Sequence, residues 1–180
     1  MTSLRHATSA DAVALTAFAG AAFDAAFAHL YPPADLAQFH AESRSLARYE
    51  AAIADPDTRI ALVEEDGAIL AYALIVMGGH FPDRPAPQPR RPVLLSQLYC
   101  AGHATGRGLG ARLLQWAVAE AEGWGADAVQ LSVYSGNRGA QAFYQRHGFA
   151  HVGDTHFWVG QTCDDEFLYE RATERPPGQG

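Results

Sequence analysis

The stretch Thr105-Gly106-Arg107-Gly108-Leu109-Gly110-Ala111 limits what this chain can become more than any other. It follows an apolar run, Val93 to Cys100, and opens an amphipathic one, Leu109 to Glu122. That order reads as a strand, a glycine loop and a helix. Consecutive backbone N–H groups in such a loop point inward, and the helix N-terminus adds the positive end of a dipole. Glycine reaches left-handed backbone and lets an anion approach with no Cβ in the way. The chain is therefore expected to bind a phosphorylated ligand.

The flanking elements narrow the fold. Leu4 to Ala7 reads as a strand, and Thr8-Ser9-Ala10-Asp11 as the capped start of a helix that runs to about His29. Pro32-Pro33 stops it, and a second helix is predicted from Ala34 to Ala54. Arg59 to Glu64 and Ala68 to Met77 form a hairpin around Asp66-Gly67. Residues 78–92 carry five prolines and read as a long loop. After the glycine helix come a strand, Ala128 to Tyr134, and a short helix, Asn137 to His147, closed by Gly148. Two last strands, Phe149 to Val159 and Glu166 to Arg171, end the pattern. One crossover unit between hairpins makes a mixed α/β sheet, not a repeated βαβ array. A single domain is expected over residues 1–172, with 173–180 a disordered Pro/Gly-rich tail.

Composition removes several function classes. The net charge is −7 and all thirteen basic residues are arginine, so nonspecific nucleic-acid binding is not expected. No apolar run reaches the roughly 18 residues of a membrane span. The N-terminus lacks a basic region followed by an apolar stretch, which leaves a cytoplasmic protein as the default. Cys100 and Cys163 make no disulfide framework and read as small buried hydrophobes. His147, His151 and His156 cluster in sequence, but Gly148 breaks their helix, and no metal site is expected.

Three ligand classes compete for the glycine loop. A triphosphate site needs lysine followed by Ser or Thr after the last glycine; this chain has Ala111-Arg112 and no lysine. A dinucleotide fingerprint formally fits Gly106 to Ala111, but it calls for an acid at the end of the next strand, where Tyr134 and Ser135 stand. The third class, a coenzyme A binder, is selected by a second motif, Asn137-Arg138-Gly139-Ala140-Gln141-Ala142-Phe143-Tyr144 with Gly148-Phe149 behind it. With the loop glycines Gly108 and Gly110, this combination resembles the GNAT superfamily of acyl-coenzyme A-dependent N-acetyltransferases. The resemblance covers roughly Ala61 to Arg171. It departs at Thr105, where the family keeps Arg or Gln, and at Gly102, where proline is common. Arg107 is the cation that the loop offers instead.

The resemblance implies a mixed, mostly antiparallel central sheet of about six to seven strands flanked by helices. It implies acetyl-CoA as co-substrate. Backbone groups of Leu98, Tyr99 and Cys100 would pair with the pantetheine arm, and Cys100 N–H would polarise the thioester. The pyrophosphate would rest on Thr105, Gly106, Arg107, Gly108, Leu109, Gly110 and Ala111. Asn137 either caps its helix or contacts the cofactor, and Ala140 lies beside it. Tyr144 takes the family's place for the acid that protonates the departing thiolate; a packed core aromatic is the competing reading. The general base stays open among His80, Glu64 and ordered water. The acceptor is expected to be a small-molecule primary amine, polyamine-like by the likeness of the last hairpin to bacterial members. Asp24, Asp35, Asp164 and Asp165 are candidate contacts. Alternatives are an antibiotic, an amino acid, a protein N-terminus, or a module that binds acyl-CoA without transfer. A homodimer is left open, and neither nucleic acid nor membrane is expected as a partner.

Overall fold

The computed structural model describes residues 1–174. Two apolar, β-branched runs, Thr58–Glu65 (β2) and Ala68–Met77 (β3), pair antiparallel. Their turn, Asp66-Gly67, has both residues at positive φ, 52° and 79°, the twist a two-residue hairpin requires. Five more strands complete one sheet: Ser3–His6 (β1), Pro92–Cys100 (β4), Ala128–Tyr134 (β5), Ala150–Val159 (β6) and Thr162–Ala172 (β7). The order is β1-β2-β3-β4-β5-β7-β6, seven strands. Only β4 and β5 run parallel, because the helix Leu109–Trp124 (α4) crosses over between them.

Both faces of this sheet are covered, so its central strands are apolar on both sides. Ala61, Val63, Ala71, Ala73 and Ile75 pack with Leu113, Leu114 and Ala117 of α4. The alternate residues Ile60, Leu62, Tyr72 and Leu74 pack on the opposite face, with Leu15, Ala19 and Tyr49. Those come from Ala12–Phe27 (α1) and Leu46–Ala54 (α3). Each fully buried leucine in these layers contributes on the order of 1.5–3 kcal/mol.

The predicted second helix is in fact two. Pro33–Ser43 (α2) ends at Arg44, and α3 restarts behind the extended Ser45, whose carbonyl accepts from Arg48 and Tyr49. Ser45 at this N-cap was the sequence signal for a restart. The entry to α1 is as the sequence suggests: Thr8 N–H donates to Asp11 Oδ2 at 2.7 Å. The final strand begins at Thr162, not at Glu166, because Gly160-Gln161 makes a tight turn into it. Cys163 consequently lies exposed on β7 and is not a buried hydrophobe. Of the expected tail, Thr173 still donates its N–H to Asp127 O at 3.2 Å, and residues 175–180 lie outside the described residues. Ser9–Leu30 does reach the length and mean hydropathy of a membrane span, 1.5, through its alanines. Its larger side chains Leu15 and Phe23 are nonetheless committed to the interior.

The β6–β7 turn is seated on α2. Asp35 Oδ1 accepts Gln161 N–H at 3.1 Å and Oδ2 accepts the Thr162 hydroxyl at 2.6 Å. Gly160 has φ +58°, and a Cβ there would fall 2.5 Å from Asp35 Cα. Gly160→Ala is expected to cost about 2 kcal/mol, a Tm loss of roughly 4–8 °C in a chain of this size. An unchanged thermal melt would show that the hairpin is not clamped this way.

Candidate functional site

The site is a defect in the sheet. β4 and β5 pair only from Pro92 to Leu94 against Ala128 to Gln130. Beyond that they diverge around a cavity of about 140 Å³ lined by Leu95–Tyr99 on one side and Leu131–Tyr134 on the other. A bulge explains the divergence: against β3, Leu74 faces Gln97 and Ile75 faces Leu95, leaving Ser96 without a partner. The extra residue also reverses the side-chain alternation. Val93 and Leu95 face α4 before it, and Leu98 and Cys100 face α4 after it. Gln97 is thereby turned to the other face, where the Tyr49 and Tyr72 hydroxyls donate to its Oε1 at 2.8 and 2.7 Å. Further along, Ala101 N–H donates to Leu70 O at 2.8 Å. By alternation, the N–H and C=O groups of Leu98 and Cys100 point away from β3 and into the gap.

Beside the gap lies the glycine loop. Gly106 and Gly108 adopt φ +81° and +77°, a conformation that side chains rarely take. α4 then begins, so the N–H groups of Leu109, Gly110 and Ala111 have no partner within the helix. A Cβ on Gly110 would sit 3.7 Å from Leu98 Cδ2 and 3.8 Å from Cys100 Sγ, which places this helix start directly against the splayed strand. Arg107 extends to Glu65, with Nη2 donating at 2.8 Å. Thr105 bonds only weakly to Ala101 O, at 3.4 Å.

The far wall is the helix Arg138–Arg146 (α5). Asn137 caps it, Oδ1 accepting from Ala140 N–H at 3.0 Å, and also lines the cavity, so capping and cavity contact coexist. Ala140 and Tyr144 line the same cavity. Tyr144 is 9% exposed and packs with Phe149 and Phe143 on the α4 side of the sheet. Burial, with Tyr99 and Cys100 close by, pushes its hydroxyl well above the ordinary tyrosine range. Burial likewise raises the Cys100 thiol.

On the opposite face, Glu166 lies across from Tyr134 in the β5–β7 ladder and lines the cavity. Burial raises its carboxyl; the Ser132 hydroxyl partly offsets this, and repulsion from Asp164 adds to it. Asp164 in turn accepts a short hydrogen bond from Tyr31. Phe23, Phe27, Tyr31, Phe157 and Arg44 close this end of the cavity. A proton donor and a carboxylate thus flank one gap from opposite faces.

Several expected side chains are elsewhere. Glu64 is paired with Arg5 at 2.6 Å, and His80 sits exposed in its loop beside Gly78 O. Asp24 bonds His40 at 2.7 Å, Asp35 holds the hairpin, and Asp165 faces His156. None of the five lines the cavity. Glu166 and Arg44 were missed. Alternation along a strand begun at Thr162 would have found Glu166, since it puts Asp164 and Glu166 on one face and Asp165 on the other.

Residues 23–149 match the family model described as the acetyltransferase (GNAT) family. An uncharacterised N-acetyltransferase from Mycobacterium tuberculosis is 32% identical over 161 residues, 89% of this chain and 97% of that protein. Among solved structures, the PaiA N-acetyltransferase from Thermoplasma acidophilum, in complex with coenzyme A, superposes with a TM-score of 0.76. It is 18% identical and covers 96% of this chain and 99% of its own. The ribosomal-protein-S18-alanine N-acetyltransferase from Escherichia coli gives 0.66 at 16% identity, over 100% of this chain and 99% of its own.

Proposed function

The chain belongs to the GNAT family of N-acetyltransferases, and from that premise we propose that the β4–β5 gap seats the pantetheine arm of acetyl-CoA and that acetyl transfer to a small-molecule primary amine takes place at its inner end. The observation that carries this is the loss of β4–β5 pairing after Leu94, which leaves strand-edge backbone open inside the sheet. The residues fit the ligand. Leu98 and Cys100 offer the backbone groups that an amide-bearing arm needs. The first turn of α4, with Gly106 and Gly108, offers N–H groups to a pyrophosphate. Arg107 reaches the phosphates only by sharing its charge with Glu65. A bound thioester supplies the acetyl group and a thiolate leaving group.

The protein's own part is proton management and orientation. Glu166 accepts the proton of the attacking ammonium or amine; its raised carboxyl suits it to act as base nearer neutral pH. Cys100 N–H donates to the oxygen on which negative charge develops. Tyr144 donates its proton to the departing sulfur. A free thiol titrates near ~8.5, below tyrosine, so this transfer would be uphill in water. Burial raises both the Tyr144 hydroxyl and the neighbouring Cys100 thiol, and the same desolvation disfavours a departing thiolate as an anion and so favours its protonation.

A polyamine-like acceptor has one set of acidic contacts in this reading, Glu166 with Asp164 behind it. A second ammonium reaching toward α2 would meet Arg44. The reading keeps a cytoplasmic location, where acyl-CoA is made and used. The test is thiol release from acetyl-CoA with a panel of small amines, run beside a direct measurement of CoA binding. Release with at least one amine is expected. Tight CoA binding with no release for any amine would leave a binding module instead of an enzyme.

A further inference from the structure

Arg44 is 8% exposed, at the break between α2 and α3. Its guanidinium lies 5.0 Å from the ring centre of Phe39, 5.6 Å from Phe23 and 5.9 Å from Tyr99. Among the described residues, its Nε has no hydrogen-bond partner. Its Nη1 donates over a long 3.4 Å to Ser43 O, and the Tyr99 hydroxyl is placed to accept from the guanidinium as a neutral partner. No carboxylate among those residues pairs with it. The hydroxyls of Tyr49, Tyr72 and Tyr99 are near, but burial keeps them protonated, so none supplies a counter-charge. A buried charge without a counter-charge is costly, and cores rarely tolerate one.

The position of Arg44 says where its partner belongs. It lines the same cavity as Glu166, and Tyr99 stands close to both. It also lines a second cavity of about 450 Å³, bounded by Phe39, Arg48, Tyr49 and the 60% exposed Trp158. Gln97 and Phe157 line both, so Arg44 stands where the two cavities adjoin. The glycine loop lies on the other side of the gap, and none of its residues lines either cavity.

We infer that Arg44 binds a carboxylate on the acceptor, so that the substrate is an amino-acid-like molecule whose amine is directed to Glu166 and whose carboxylate is held by the guanidinium. This rests on the acetyl-transfer reading above and specifies its acceptor. A planar guanidinium matches a carboxylate with two parallel hydrogen bonds, and its aromatic surroundings strengthen them. The same charge disfavours a polycation. It also gives no purchase on a protein N-terminus, whose α-carbonyl is an uncharged peptide group.

The experiment uses the full chain with acetyl-CoA and five probes: glycine, alanine, phenylalanine, lysine and glutamate. Each is paired with its own α-carboxamide. Binding to the CoA-loaded protein is measured by calorimetry, and turnover by thiol release. For the probes that bind, the wild type is expected to prefer the carboxylate at least ~30-fold in Kd and in kcat/KM. Arg44→Gln is expected to erase that preference by raising KM for the carboxylate alone, with CoA affinity and the carboxamide unchanged. Arg44→Lys, which keeps the charge, should restore part of it and guards against loss of folding in the glutamine variant. The inference is overturned if no carboxylate binds the wild type better than its carboxamide, or if Arg44→Gln weakens both members of a pair equally. Carboxylate binding without thiol release would overturn acetyl transfer and leave the anion site standing. Turnover without carboxylate preference would do the reverse.

Discussion

Glu166→Gln is expected to lower kcat/KM by about 10²–10⁴-fold, the usual contribution of a positioned general base. Glutamine keeps the shape and can still accept from Ser132, but it takes no proton. The pH profile separates this from a packing defect. In the wild type, the carboxyl must be ionised to act, and its folded pKa lies above the ordinary glutamate value of about 4.3. Activity should therefore fall as pH drops through that raised pKa, and the variant should lose this limb. The acceptor's own amine titrates far higher and leaves its limb in both proteins. Stability moves the other way. A carboxyl whose pKa is raised by folding favours the folded state below the unfolded pKa and loses that contribution as pH rises through the folded value. At pH 7–8, Glu166→Gln should thus melt no lower than the wild type. A variant that loses activity and stability together would point to a structural role.

Tyr144→Phe is the second large effect, a loss of roughly 10²-fold or more in kcat with acetyl-CoA affinity unchanged. The ring is already buried against Phe143 and Phe149, so phenylalanine fits the same space. What disappears is one hydroxyl. Because burial lifts its pKa well above the usual range, Tyr144 stays protonated throughout pH 7–9. No alkaline limb in that interval should come from it. Equal turnover in the two proteins would return Tyr144 to the hydrophobic core, the alternative its sequence position always allowed.

Much of the fold was legible because its signals are local. Asp66-Gly67 specifies a turn whatever surrounds it, and Gly108 ends a loop and caps a helix by its own backbone freedom. The proposed cofactor side carries the same kind of signal: Leu98, Cys100 and the first turn of α4 are near one another in sequence and adjacent in space. The acceptor side was not legible. Arg44, Tyr31, Phe157 and Glu166 come from four separate parts of the chain and carry no shared motif. The bulge at Ser96 is fixed by the register against β3, which no single strand reveals. A strict alternation through β4 would have put Gln97 into the apolar layer under α4 and Leu98 on the other face. The acid run Asp164-Asp165-Glu166 looked uniform until its strand start at Thr162 sorted it into two faces.

The splay of β4 from β5 changes what kind of object this sheet is. An open sheet has two edges, and each is a liability, because unpaired backbone will accept any passing strand. This sheet has four. The outer pair is poorly suited to recruit a neighbour: β1 is only four residues long, and β6 carries His151, Asp154 and His156 along its length. The inner pair, β4 beyond Leu94 and β5 beyond Gln130, is the more exposed in hydrogen-bonding terms. Yet it opens into a narrow, half-enclosed cleft between two strands of the same sheet, which suits a slender ligand better than a second polypeptide strand. A slender, amide-bearing ligand can use those backbone groups where another protein cannot. The molecule thus keeps an adhesive surface in its centre and shields it from aggregation by geometry alone.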